Sequence, residues 1–387
     1  MHTRTLAAGA ALLTTAATCI PATLHAAADR TIPCTNLQTF KPYPEYAWMG
    51  SSNATEETVL SRQGACLDAM LYTPTNPAAT VPAVVLEPGS GGTTVDLGWA
   101  ARYLAGNGYE ALVVVQQGQG GSEVVQPSPC TPDVSTGILT DGERLTQVCT
   151  GLPPGENVDN AVDAISSGID WLLSPANPLT VNQAEIGAGG HSEGARGASA
   201  AQATDSRISA IVAFDNLTAN YSGDQGDCSG GSAQAALTGG QIPGSSFPIT
   251  PRVPAMGQAC DVGKFVFQLP TSAKETSFLQ WRGDGISGAE LVFAGSGHLD
   301  WTGEPAESSA KDVEHQDFAY YMKAWFDLFL LGDQTGLTRL EATSISGMST
   351  AADGATRASL LATDFTSALY VPASSVDCTD FQADCGA

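Results

Sequence analysis

The most informative part of the sequence is Gly190-His191-Ser192-Glu193-Gly194, which lies between two segments of different pattern. Residues 184–188 before it predict a strand, and the run of small residues after it predicts a helix. A serine flanked by glycines at this spacing is typical of a nucleophile elbow, a tight strand-to-helix turn that exposes the serine hydroxyl. An ordinary glycine-rich turn is the alternative. The strand before and the helix after the turn favour Ser192 as a nucleophile.

Strand and helix patterns alternate on both sides of this turn. Besides the strand at 184–188 and the helix from residue 193, the pattern predicts strands at 66–72, 81–86, 110–115, 208–214, 253–257 and 289–293, and helices at 96–104, 157–173 and 311–331. This alternation predicts an α/β fold with a mainly parallel central sheet and helices on both faces. Two Gly- and Pro-rich stretches, 116–156 and 216–251, are expected to be loop insertions. Ligands of such sheets bind beyond the carboxyl ends of the strands, where Ser192 falls.

A nucleophilic serine needs a histidine base, and in this kind of site the chain order is serine, acid, histidine. Of the five histidines, His2 and His25 lie in the N-terminal leader, and His191 is part of the turn. His315 is expected on the polar side of a predicted helix. His298, in the loop after the last predicted strand of the core, is therefore the candidate base.

Two aspartates compete for the role of the acid that orients the histidine. Asp261 follows the strand-like stretch 253–260, and Asp215 follows the preceding strand. Both lie between Ser192 and His298 in sequence, and we favour Asp261. Asp300 is too close to His298 in sequence to orient its ring and is expected to cap a turn.

Two backbone N–H groups should form the oxyanion hole. The candidates are Glu193, next to the nucleophile, and Ser90, in the glycine-rich loop 88–92 after an apolar strand. A phosphate-binding loop is the alternative, but these glycines lack both the Gly-Lys-Ser/Thr ending and the dinucleotide spacing, so we predict no cofactor. A carboxylate at Glu193 is unexpected beside a developing negative charge, and we expect it to turn toward Arg196.

The N-terminus and the cysteines predict an exported protein, extracellular or periplasmic. Residues 1–28 combine Arg4 with an Ala-rich apolar run and a cleavage site after Ala28, which predicts a signal peptide and a single mature domain over 29–387. Of nine cysteines, Cys19 leaves with this leader, and the even remainder suggests disulfides. Their connectivity is open, and nearest-neighbour pairing would give four local bridges. No Cys or His stands in ligand spacing, so no metal site is predicted.

The charge balance limits the partners. The 387 residues contain 40 Asp and Glu against 16 Lys and Arg, a net charge of -24, and removal of Arg4 makes it -25. Nucleic acid, which needs clustered Lys and Arg, is excluded as a partner, and anionic substrates are disfavoured. A hydrophobic content of 43% allows a large core. No stretch after the leader approaches the roughly 18 apolar residues of a membrane span, so we expect no stable membrane anchor, and we expect a monomer.

From about residue 81 to residue 335 the chain resembles the α/β-hydrolase superfamily. Within it, the chain is similar to the secreted dienelactone-hydrolase-like esterases, which include bacterial cutinases and poly(ethylene terephthalate) hydrolases. The residues that carry the resemblance are 88–90, 104–109, 190–194, 257–261, His298 and 324–333. The resemblance implies a triad of Ser192, Asp261 and His298, oxyanion donors at Ser90 and Glu193, and a C-terminal segment stabilised by a disulfide between Cys378 and Cys385.

The chain departs from cutinases at three positions. Glu193 stands where cutinases usually have Met, Ser90 where they have an aromatic residue, and Phe214-Asp215-Asn216 where they have Trp. The resemblance therefore implies an esterase more firmly than a hydrolase of aromatic polyesters. We expect His191, Phe214 and Trp301 to contact the substrate, and the two insertions to rim the pocket.

Together these patterns predict a secreted serine hydrolase that cleaves small or polymeric carboxylic esters through an acyl-enzyme, without metal or cofactor. Three alternatives stay open. A peptidase or amidase could use the same triad, as could a hydrolase of carbon–carbon bonds in diketones. The third is a hydrolase-fold binding protein without activity, which the intact order of serine, aspartate and histidine disfavours.

Overall fold

The structure is a computed structural model that describes residues 34, 40–123, 155–214, 217–218, 249–262, 271–303, 309–342, 344–345, 357–358 and 367–378. Some sequence-based predictions fall outside these ranges. They concern the signal peptide, most of both insertions, Asp215, and the cysteines Cys130, Cys149, Cys228 and Cys385.

The described elements follow the predicted alternation of strand and helix. The strands are β1 (Ser52–Leu60), β2 (Cys66–Pro74), β3 (Val81–Glu87), β4 (Glu110–Val114), β5 (Val181–His191), β6 (Ala210–Phe214), β7 (Ala255–Val262), β8 (Gly288–Gly297), β9 (Ser344–Ile345), β10 (Arg357–Ala358), β11 (Ala368–Val371) and β12 (Val376–Cys378). The helices are α1 (Gly98–Gly106), α2 (Gly155–Leu172), α3 (Glu193–Thr204), α4 (Thr271–Gly283), α5 (Ser309–Phe329) and α6 (Thr335–Leu340). Short 3-10 turns lie at Ala47–Met49 and Pro372–Ser374.

Ten of these strands form one sheet in the order β1-β2-β4-β3-β5-β6-β7-β8-β11-β12. The central strands, from β4 to β8, pair in parallel. Two strands at each edge pair antiparallel. The predicted parallel sheet is therefore confirmed for the centre, whereas the edges make the fold a mixed α/β fold. β9 and β10 form a separate two-stranded ladder.

Strand β3 shows how the sheet is covered on both faces. Successive side chains of a strand point to opposite faces. Val84 and Leu86 pack in the apolar cluster that includes residues of α1 and α5, and Ala83 and Val85 pack in the cluster that includes residues of α2 and α3. Because both faces are buried, β3 reads as a continuous apolar run instead of an alternating one.

Among the described elements, strands β1 and β9 to β12 and helices α4 and α6 were not predicted from the sequence. β1 carries mostly polar side chains, and its pairing with all nine residues of β2 orders it. Helix α4 has a weak apolar pattern, yet Phe278 and Trp281 are buried and the Trp281 Nε1 donates to the carbonyl oxygen of Val253 at 3.0 Å. Both elements depend on partners that are distant in sequence.

The expectation for His315 is wrong. This residue of α5 is fully buried, and its ring stacks on Trp99 of α1 with centroids 4.6 Å apart. Its Nε2 lies 3.0 Å from the carbonyl oxygen of Asp300. The helical pattern of α5 gives no sign of this, because the covering indole comes from another helix.

Cys34 and Cys66 form a disulfide, as nearest-neighbour pairing would give, and it ties the chain before β1 to the start of β2. Cys260 and Cys378 each take part in a disulfide as well. Within the described ranges, no helix has the length and apolar character needed to cross a membrane.

Candidate active site

Ser192 occupies a strained turn between β5 and α3. Its backbone has φ 54° and ψ -109°, a conformation that costs a non-glycine residue about 1–3 kcal/mol. Hydrogen bonds on both sides hold it there. The Ser192 N–H donates to the carbonyl oxygen of Phe214 at 3.1 Å, and the Ser192 carbonyl oxygen accepts from the N–H of Arg196 at 3.1 Å. This is the backbone geometry that the sequence motif predicts.

The two glycines of the motif let β3 and α3 approach closely beneath the serine. A Cβ atom on Gly194 would lie 2.0 Å from the carbonyl oxygen of Glu87. A Cβ atom on Gly190 would lie 2.3 Å from the carbonyl carbon of Gly194. Neither position has room for a side chain, so the glycines are required by packing.

The loop after β3 lies against the nucleophile. A Cβ atom on Gly89 would come within 3.1 Å of the Ser192 Cβ. In this loop the Gly92 N–H donates to the carbonyl oxygen of Gly89 at 2.9 Å, and the Gly91 N–H donates to Gln119 Oε1 at 2.8 Å. Among the described residues, by contrast, no hydrogen bond uses the N–H of Ser90 or of Glu193. Their role as oxyanion donors stays a prediction. Glu193 starts helix α3, whose dipole favours negative charge at its N-terminus.

His298 lies beside the elbow, at the end of β8. His298 is only 7% exposed, and its carbonyl oxygen accepts from His191 Nε2 at 2.8 Å. The two imidazole rings have centroids 4.9 Å apart. Because His191 directly precedes Ser192, this contact brings the loop of the candidate base to the candidate nucleophile. His191 itself is almost fully buried, so the structure gives it the role of a link between two loops.

Several hydrogen bonds fix the loop that follows His298. Asp300 Oδ2 accepts from the N–H of Gly297 at 2.6 Å, which confirms that Asp300 caps a turn. The Trp301 Nε1 donates to Gln258 Oε1 at 3.2 Å, and the Trp301 carbonyl oxygen accepts from Trp99 Nε1 at 2.9 Å. A loop held at so many points keeps the His298 backbone in one place.

The candidate acids end the neighbouring strands. In the β7–β8 pairing, Val262 lies opposite Gly297, so the backbone of Asp261 runs beside the residue that precedes His298. The side chain of Asp261 and the whole of Asp215 lie outside the described residues. The choice between the two acids stays a prediction.

The residues expected to contact the substrate are mostly buried. Phe214 and Trp301 have no exposed surface; Phe214 packs against Trp99 and Trp301 stacks on Phe318. Their contact with a substrate stays a prediction. Leu299 is 53% exposed and directly follows His298, so it presents apolar surface near the candidate base.

The sequence did not single out two polar residues beneath the site, Gln119 and Glu87. Gln119 Nε2 donates to Glu193 Oε2 at 3.0 Å, so the Glu193 carboxylate contacts Gln119, a partner that was not expected. Glu87 ends β3 with no exposed surface, and its Oε1 accepts from the N–H of Gln116 at 3.1 Å. Burial, and to a smaller degree the charge of Glu193, raises the pKa of Glu87 well above its usual range. The sequence marks Glu87 in one way only, as a charged residue at the end of an apolar strand.

Within the described ranges, no group of three or more His, Cys, Asp or Glu side chains is placed to hold a metal ion.

No protein-family model matches the chain, and no curated protein sequence matches it. Among solved structures, a ferulic acid esterase from Streptomyces cinnamoneus is similar, with a TM-score of 0.47 and 18% sequence identity over 73% of this chain and 90% of that chain. The assignment of this site rests on its own geometry. The chain is a mixed α/β protein with a serine in a strained strand-to-helix turn, at the carboxyl ends of its parallel strands.

Proposed function

We propose that this chain is an exported serine hydrolase of the α/β-hydrolase type that cleaves carboxylic esters through an acyl-enzyme. The observation that carries the proposal is the placement of Ser192. It sits in a strained turn next to the loop of His298, and within the described ranges no hydrogen bond uses the N–H groups of Ser90 and Glu193. These are the parts that acyl transfer to a serine requires.

In the proposed mechanism, Ser192 Oγ attacks the ester carbonyl carbon while the His298 imidazole accepts the hydroxyl proton. The oxyanion of the tetrahedral intermediate accepts hydrogen bonds from the N–H groups of Ser90 and Glu193. When the intermediate collapses, His298 gives the proton to the leaving alcohol. Water, deprotonated by His298, then releases the acid from Ser192. Asp261 orients the imidazole, with Asp215 as the alternative.

The charges favour a neutral ester as the substrate. The chain carries a net charge of -24, and the Glu193 side chain, which accepts from Gln119 Nε2, belongs to the residue after Ser192. An anionic substrate would be repelled by this field. The exposed Leu299 beside His298 supports an apolar group on the ester, of a small molecule or of a polymer.

The test is hydrolysis of short p-nitrophenyl esters by the mature protein, with p-nitroanilides and a diketone as parallel substrates. We expect ester hydrolysis, loss of at least about 1,000-fold in Ser192→Ala, and labelling of Ser192 by a fluorophosphonate. The matched control is Ser209→Ala, at the opposite end of β6, where the hydroxyl donates to the carbonyl oxygen of Ala184. Activity that survives in Ser192→Ala contradicts the mechanism, and faster turnover of the anilide or diketone points to the other hydrolase classes. Absence of turnover and of labelling points to a binding protein.

The identity of the triad acid is tested by making the same Asp→Asn substitution at each of the two candidate positions. We expect Asp261→Asn to lower kcat by on the order of 10⁴, because the imidazole would then take the wrong tautomer, and Asp215→Asn to lower it much less. A larger loss in Asp215→Asn would assign the acid to Asp215.

Export is tested at the N-terminus of the protein recovered from the culture medium or periplasm. We expect it to begin at Asp29. An N-terminus at Met1 would contradict the proposed signal peptide.

A further inference from the structure

We infer that Gln119 is a positioning residue of the oxyanion hole, whose side-chain amide ties the loop that carries Ser90 to the first residue of α3. The inference rests on the proposed function, since the oxyanion hole belongs to that proposal. It assigns a role to a residue in the loop after β4, which contains no part of the triad.

One amide spans the two chain segments that supply the two donors. Gln119 Oε1 accepts from the N–H of Gly91 at 2.8 Å, and Gln119 Nε2 donates to Glu193 Oε2 at 3.0 Å. Gly91 directly follows Ser90, and Glu193 itself carries the second donor. Gln119 is 6% exposed, so both hydrogen bonds are shielded from competing water.

The oxyanion loop needs such an anchor because three of its residues are glycines, Gly89, Gly91 and Gly92. Glycines lack side chains that could pack the loop in place, and they have more backbone freedom than other residues. Two external contacts limit the loop. Gly89 abuts Ser192, and Gly91 is bonded to Gln119. The Gly91 N–H is committed to Gln119, whereas no hydrogen bond within the described residues uses the N–H of Ser90.

The same amide also controls a charge. The Glu193 carboxylate is attached to the residue whose N–H faces a developing negative charge, which it would oppose if it moved closer. The hydrogen bond from Gln119 Nε2 holds that carboxylate in a fixed position and partly offsets its charge.

Two hydrogen bonds hold the loop that carries Gln119, and one of them goes to the end of β3. The Gln116 N–H donates to Glu87 Oε1 at 3.1 Å, and the Gly118 N–H donates to the carbonyl oxygen of Glu123 at 3.0 Å. The loop after β4 therefore connects the strand that precedes the oxyanion loop with the helix that follows the nucleophile.

The chain offers a matched control in the same loop. Gln117 is also buried, and its Nε2 donates to Gln63 Oε1 at 2.6 Å and to Asn160 Oδ1 at 3.0 Å. It has the same side chain as Gln119 but bonds residues outside the proposed site. Replacing either glutamine by methionine keeps the length and removes the amide.

The experiment measures kcat and KM on p-nitrophenyl acetate for the full mature chain. We expect Gln119→Met to lower kcat by about 10- to 100-fold with KM within about twofold, because a misplaced donor is lost mainly in the transition state. We expect Gln117→Met to change kcat by less than about threefold.

A reciprocal exchange separates a hydrogen-bond role from a packing role. Gln119→Glu alone places two carboxylates in contact and should lower kcat at least as much as Gln119→Met. The double variant Gln119→Glu/Glu193→Gln keeps an acceptor for the Gly91 N–H and restores a donor–acceptor pair between positions 119 and 193. It should recover kcat by about tenfold or more over Gln119→Glu.

The inference is overturned if Gln119→Met lowers kcat by less than about fivefold, or if the two methionine variants lose equally. If Gln119→Met does not fold, the exchange decides, and failure of the double variant to exceed Gln119→Glu overturns the inference. If the wild-type chain neither hydrolyses the ester nor reacts with a fluorophosphonate at Ser192, the proposed function has failed, and the inference fails with it.

Discussion

Adding one methyl group at Gly194 should disable the site while leaving most of the fold unchanged. The Cβ of Gly194→Ala would lie 2.0 Å from the carbonyl oxygen of Glu87, where atoms of this kind need at least 3.0 Å. The end of β3 and the start of α3 must therefore separate by at least about 1 Å. A displacement of that size between catalytic groups costs about 100-fold in rate. It would move the N–H of Glu193 and the loop of Ser90 apart.

The assay compares kcat for a p-nitrophenyl ester and the rate of fluorophosphonate labelling at Ser192. We expect both to fall by about 100-fold in Gly194→Ala, with a lower melting temperature and an unchanged far-UV circular dichroism spectrum at 25 °C. Gly283→Ala is the matched control, because a Cβ atom at that helix end has no atom within 4 Å. If Gly194→Ala labels and turns over like the wild type, the elbow tolerates a side chain and the packing argument is refuted.

Two further predictions concern stability. Cys34→Ser/Cys66→Ser opens a bridge between residues 32 apart and should lower the free energy of unfolding by about 4 kcal/mol in urea titrations, whereas a loss below about 1 kcal/mol would contradict the loop-entropy argument. Asp68 in β2 is 5% exposed and has an unbonded Oδ2 among the described residues, and burial, followed by the charge of Glu56, raises its pKa to about 7. The folded chain thus keeps a proton on Asp68 that the unfolded chain releases, so the contribution of Asp68 to stability should fall by up to about 1.4 kcal/mol per pH unit from pH 4 to pH 7. Asp68→Asn should make the measured slope shallower by that amount, while other buried carboxyls such as Glu110 keep their share. Equal slopes in the two proteins would refute it.

The centre of the fold was predictable because its strands and helices are marked by local patterns. β3 and β4 are apolar runs of the length of a buried strand, and α2 has apolar residues at helical spacing. The outermost strand β1 was not predictable in this way. β1 is polar along most of its length, and only its pairing with β2 makes it a strand.

The candidate site also contains residues that could be predicted from the sequence and residues that could not. The elbow around Ser192 could be predicted because its glycines, strand and helix are contiguous. His298 could be selected because the chain has only five histidines. His315 was misplaced, since the indole of Trp99 that buries it lies far away in sequence.

The position of the tight turn at Ser192 can be read from the chain, because its two glycines and its flanking strand and helix are contiguous. The contacts around the turn depend on residues brought together by folding. The bond from Gln119 to Glu193 and the bond from His191 to the His298 carbonyl oxygen join residues 74 and 107 positions apart. Such contacts leave no periodic trace in the chain, since they arise only when parallel strands bring their carboxyl ends to one edge of the sheet.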